Sequence, residues 1–103
     1  HHGIMDYAVP PLMVLPSICK VIGGQIPVFV DCMIMSGMDA FKALALGATA
    51  VSAGRVIMGP LGEKGAEGVC EAVNRMTAEL KGTMARCGYA DVAHIDASVI
   101  WKP

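Results

Sequence analysis

The chain has 103 residues and a formal net charge of −1, with 54% hydrophobic, 17% charged and 5% aromatic residues. That balance gives a globular chain that needs a core, and it leaves no basic surplus for the phosphate contacts on which nucleic-acid binding rests. The longest uncharged stretches, Tyr7 to Cys19 and Ala43 to Gly54, fall short of the ~18–20 apolar residues that span a bilayer, so no transmembrane segment is expected.

The chain opens on His1-His2-Gly3, which has none of the basic, apolar and small-residue zones of a secretory signal; the expected compartment is cytoplasmic. Cys19, Cys32, Cys70 and Cys87 form no C-x-x-C pair. They read as core hydrophobes rather than as a disulfide framework, and no metal site is expected.

In chain order, Leu12 to Ile22 sets Leu15, Ile18 and Ile22 on one face and stops at Gly23-Gly24, a helix despite Pro16. Ile26-Pro-Val-Phe-Val-Asp31 is a continuous apolar run ending in a carboxylate, and Ala48 to Gly54 is a second such run. Both lack the alternation of half-exposed strands and read as parallel strands covered on two faces. Between them, Ser36 is placed to cap a helix, with Asp39 three residues later and Phe41, Leu44, Ala45 and Ala48 at helical spacing. Strand, helix, strand is a βαβ unit. A glycine-bearing loop is expected from Gly54-Arg55 through Gly59, Gly62 and Gly65, followed by the longest helix, with Val69, Val73, Met76, Leu80 and Met84 on its buried stripe. Charge follows the same division, with six charged side chains in residues 1 to 62 and eleven from Glu63 onward.

Two parallel strands cannot satisfy their outer edges alone. A partner is therefore expected, either the rest of a longer chain upstream or further copies of this one, and a (β/α)8 barrel is the natural whole. Ligands of such folds gather at the carboxyl ends of the strands. Here those ends carry Asp31 to Gly37 and Ala53-Gly54-Arg55. Glycine backbone, a helix N-terminus and an arginine fork suit a phosphate; Gly-Arg pairs also occur in plain turns, and Asp31 could equally cap a turn.

Ile26 to Asp31, the block Ser36-Gly-Met-Asp-Ala-Phe-Lys-Ala-Leu-Ala-Leu-Gly-Ala-Thr-Ala-Val51, and Gly54-Arg55 together closely resemble the C-terminal part of the FMN-dependent 2-hydroxy-acid dehydrogenases and oxidases, the family of glycolate and lactate oxidases. Val14-Leu15-Pro16, Glu67-Gly68-Val69, Glu79-Leu80 and Thr83-Met84-Ala85 extend the resemblance over nearly the whole chain. It implies an α/β fold, with residues 1–103 forming one partial domain: a C-terminal fragment of a TIM barrel, about its last three βα units.

The resemblance also implies FMN as cofactor, a 2-hydroxy acid as substrate and a missing N-terminal part of the barrel that carries the other flavin and substrate contacts. The intact enzyme is expected to be a homo-oligomer. Asp31 matches the aspartate of the family's Asp-Gly-Gly-x-Arg motif, and Gly54 and Arg55 match its Gly-Arg pair, while amides near Ser36 and Gly37 are further cofactor candidates. Cys32 and Met33 stand in place of glycines, and Met35 in place of the phosphate-binding arginine.

The catalytic base of the family opens a His-Gly-Gly-Arg signature, and its arginine holds the substrate carboxylate. His2-Gly3 matches the start, with Met5 at the arginine. A gapless count from Asp31 puts the histidine just before residue 1 and the arginine at Gly3. His1 and His2 are the candidate bases, and a terminal histidine pair also fits a tag remnant. Competing expectations are a non-catalytic phosphate- or nucleotide-binding half-barrel that self-assembles, a decayed remnant, and another phosphate-binding TIM-barrel enzyme.

Overall fold

Residues 6–31 and 33–103 are described by a computed structural model. Helix α1 (Pro11–Ile22) begins with proline in its first turn, where a missing amide costs nothing, and ends where Gly23 adopts a left-handed conformation and donates its N–H to the Cys19 carbonyl at 2.9 Å. Lys20 sits in the last turn, at the negative end of the helix dipole.

Strands β1 (Phe29–Val30) and β2 (Ala50–Val51) pair in parallel, Phe29 opposite Ala50 and Val30 opposite Val51. The pairing extends on either side through Thr49 N–H to the Val28 carbonyl and Ser52 N–H to the Val30 carbonyl. The crossover is α2 (Gly37–Ala45), capped as expected by Ser36, whose hydroxyl accepts from the Asp39 N–H at 3.1 Å.

The apolar runs form shorter strands than expected, and they are covered on one face only. Phe29, 71% exposed, and its partner Ala50 lie on the open face, whereas Val30 is buried beneath the helices. Nothing in the described residues packs on the open face. Among the described residues a βαβ unit is present and a closed barrel is not.

Helix α3 (Gly54–Cys87) corrects two further expectations. Residues 54–64, expected as a loop, are helical in spite of three glycines and Pro60. The chain then breaks at Gly65 (φ 59°, ψ −141°), a conformation essentially confined to glycine, before residues 66–87 run on as a second helical segment. The buried stripe of that segment is Gly68, Ala72, Met76, Thr83 and Met84, with Leu80 half-buried. Val73, expected inside, is exposed, because the close side of the helix is lined by its small residues.

Small side chains also let α2 sit tightly between sheet and α3: Ala40, Ala43 and Ala48 are buried together with Leu15, Val30, Ile34, Val56 and Met76. A second cluster joins Phe41, Ala45, Met84 and Ile95, with the Phe41 and Tyr89 rings 6.1 Å apart and tilted by 58°. The C-terminal segment is tied down by two short 3₁₀ turns, Val92–His94 and Ala97–Val99, capped by Asp91 and Asp96.

Cys19 is half-buried and donates its thiol hydrogen to the Gly47 carbonyl, but Cys70 and Cys87 are exposed, not core. Among the described residues no helix is long and apolar enough to cross a membrane.

Candidate functional site at the strand ends

Both strands deliver their carboxyl ends to one side of the sheet, where a cavity of about 230 Å³ is lined by Asp31, Met33, Ile34, Ser52, Gly54 and Arg55. Asp31 directly follows β1, and Gly54 and Arg55 are the first two residues of α3. The parallel register therefore brings together three of the residues singled out from the sequence.

The start of α3 has no side-chain cap, since Ala53 occupies the capping position. Its first-turn N–H groups lack helical partners, and the helix dipole makes that end attractive to an anion. A Cβ added at Gly54 would meet no atom within 4 Å, so the approach to this backbone is open. Arg55 is exposed, and among the described residues no carboxylate forms an ion pair with it. A free guanidinium beside an uncapped helix start can hold a phosphate through charge-assisted hydrogen bonds.

Ser36 and Gly37 do not line this cavity. The start of α2 is instead closed: the Ser36 hydroxyl accepts from Asp39 N–H, the Asp39 carboxylate accepts from Met35 N–H at 3.2 Å, and the Gly37 N–H donates to Glu79 Oε2 at 2.7 Å. Gly37 is turned toward α3, where an added Cβ would overlap the Met76 carbonyl oxygen and the Leu80 nitrogen. Its described role is helix packing, and its amide is already committed.

In the sequence Glu79 stands out only as part of the Glu79-Leu80 pair of the family resemblance. No local pattern could reveal its contact, because the partner amide lies 42 residues away.

On the β1 side, Met33 has a left-handed backbone (φ 53°) that bulky residues rarely adopt. The loop retains a path suited to glycine while carrying methionine. Met35, at the position of the expected phosphate-binding arginine, is partly exposed and supplies no charge. Cys32, His1 and His2 lie outside the described residues.

A family model described as FMN-dependent dehydrogenase matches residues 1–102. The chain belongs to the FMN-dependent dehydrogenase family. Within this family it is 40% identical over 102 residues to an L-lactate oxidase of Roseobacter sp. (strain GAI101), and 38% identical over 102 residues to the glycolate oxidase of Spinacia oleracea; each match covers 97% of this chain and 28% of the relative. Its fold superposes on a mandelate oxidase bearing a monooxide FMN adduct with a TM-score of 0.85 at 35% identity, over 90% of this chain and 30% of that one. A mandelate oxidase structure with benzoyl-formic acid gives a TM-score of 0.84 over 90% and 28%. This FMN-dependent dehydrogenase chain thus spans less than a third of the length of the relatives it matches.

Proposed function

We propose that the chain forms the last βα units of a TIM barrel that oxidises a 2-hydroxy acid to a 2-oxo acid with FMN, and that its part is to hold the phosphate end of the flavin. The observation that carries this reading is the open start of α3 beside Arg55, on a cavity shared with Asp31.

FMN fits this part of the site. The Gly54 amide and the Arg55 guanidinium would meet the phosphate, and the Asp31 carboxylate is an acceptor for ribityl hydroxyls. At the β1 loop the fit is poorer, because Met33 and Met35 bring neither glycine backbone nor positive charge. When bound, FMN supplies the two-electron redox chemistry, and the protein binds and orients it. His1 or His2 is the candidate group to take the proton from the substrate hydroxyl. The upstream part of the barrel would cover the open face of β1 and β2 and complete the flavin and substrate contacts. The full enzyme is proposed to be a homo-oligomer. The substrate class follows from the relatives, which are lactate, glycolate and mandelate oxidases.

The test compares FMN with riboflavin, which lacks the phosphate, as ligands of the full-length chain. Arg55→Ala is expected to weaken FMN about 10- to 100-fold, the equivalent of one hydrogen bond to a charged group, and to leave riboflavin affinity unchanged. Equal losses for both ligands, or none for FMN, would refute the assignment.

A further inference from the structure

Two helices start at the same end of the sheet, and they are finished differently. The start of α3 faces the cavity without a side-chain cap, whereas α2 is closed by Ser36, by Asp39 and by Glu79, the last reaching over from α3. The Glu79 bond is partly buried and charge-assisted, a short 2.7 Å contact to Gly37 N–H. Its other oxygen, Oε1, lies 3.9 Å from Arg75 Nε on the exposed side, a weak pair that leaves the Gly37 bond as the main restraint.

Gly37 ends the loop that begins at Asp31. Along that loop Ile34 is buried in the core, Met35 N–H is held by Asp39, and Ser36 caps α2. Asp31, Met33 and Ile34 form the β1 side of the cavity, while Gly54 and Arg55 form the other. The loop carrying one wall is therefore tied, through Gly37, to the second segment of α3, which packs at Gly68 against the Pro60 carbonyl of the segment whose first turn carries the opposite wall; Val56 and Met76, one from each segment, share a core cluster with Ile34.

Resting on the phosphate-site reading above, we propose that Glu79 is a positioning residue: by bonding Gly37 N–H it fixes the β1–α2 loop against α3 and so sets the spacing of the cavity's two walls around the phosphate. It touches no ligand itself. Its effect is specific to the phosphate end, because the loop it holds is a wall of that cavity.

The readout is the ratio of FMN to riboflavin affinity in the full-length chain, together with thermal stability. Glu79→Ala is expected to lower the FMN-over-riboflavin preference about tenfold, the scale of losing one good hydrogen bond's control of the site. Glu79→Gln, whose side-chain carbonyl can accept the same bond, is expected to restore most of that preference. A Glu79→Ala protein with lowered stability and an unchanged ratio would reduce Glu79 to a packing residue and overturn the proposal; so would failure of Glu79→Gln to restore the ratio. If Glu79→Ala does not fold, Glu79→Asp, which withdraws the carboxylate by one methylene, takes its place: a lowered ratio supports the role and an unchanged one overturns it. Arg55→Ala separates the two levels. If it collapses the ratio while the Glu79 variants do not, only the positioning role fails; if it leaves the ratio intact, the phosphate-site reading fails and takes the positioning role with it.

Discussion

Gly37→Ala tests the α2–α3 contact directly. The added methyl would fall on the Met76 carbonyl oxygen and the Leu80 nitrogen and lie 2.7 Å from the Glu79 Cβ. None of these is the free end of a flexible side chain, so relief requires α2 to move off α3. That displacement costs about 1–3 kcal/mol in overpacking and repacking around Ala40 and Met76. It also stretches the Gly37–Glu79 bond, whose loss costs about 1.5–3 kcal/mol for a charged acceptor. Alanine's better helix propensity returns no more than about 1 kcal/mol. The expected net destabilisation is about 2–5 kcal/mol, large beside a typical domain stability of about 5–15 kcal/mol. Urea unfolding followed by far-UV circular dichroism measures it as a lowered midpoint at unchanged slope. Gly62→Ala is the internal control, since a Cβ there meets nothing within 4 Å; it is expected to stabilise by about 0.5–1 kcal/mol. A Gly37→Ala protein within about 0.5 kcal/mol of the parent, the usual range of a neutral surface change, would refute the tight crossing.

Met33→Gly is expected to stabilise the chain by about 0.5–1 kcal/mol, because relief of the left-handed backbone outweighs glycine's greater unfolded entropy; a lower urea midpoint would count against strain at this position. The Asp91 carboxyl is held below its ordinary value of 3.8 chiefly by hydrogen bonding to the His94 ring, which outweighs an opposing effect of desolvation. A depressed folded value makes the stabilising contribution complete above pH 3.8 and removes it as pH falls through the lower folded value. His94→Ala is expected to return the Asp91 titration toward 3.8, read by NMR of the side-chain carboxyl; an unmoved titration would assign the shift to another partner.

The sequence made most of the architecture readable where one local rule governs one local feature. Ser36 with Asp39 announces the start of α2, Gly23 announces the end of α1, and the two apolar runs announce the parallel pair. The placement of Asp31, Gly54 and Arg55 around one cavity was readable as well, since all three follow directly from strand ends. What escaped depends on distance or on neighbours. Residues 54–64 look like a loop by composition, yet tertiary packing of Val56 and Ile57 holds them in a helix. Val73 looks like core by spacing, but the close approach at Gly68, Ala72 and Met76 selects a different side of the same helix. Gly37 looks like a phosphate donor because it opens a helix; only the fold reveals that Glu79 has taken its amide.

The break at Gly65 separates the two duties of α3. Residues 54–64 present the uncapped turn proposed to meet the phosphate, and residues 66–87 provide the surface on which α2 rests, with an added Cβ at Gly68 overlapping the Pro60 carbonyl oxygen where the segments meet. The bend lets the chain present its first turn to the cavity and its second segment to α2 at different angles, and the packing of Gly68 on the Pro60 carbonyl keeps that angle fixed. Libraries that diversify ligand preference are therefore best confined to the short segment, with Gly65 and Gly68 left untouched as the joint.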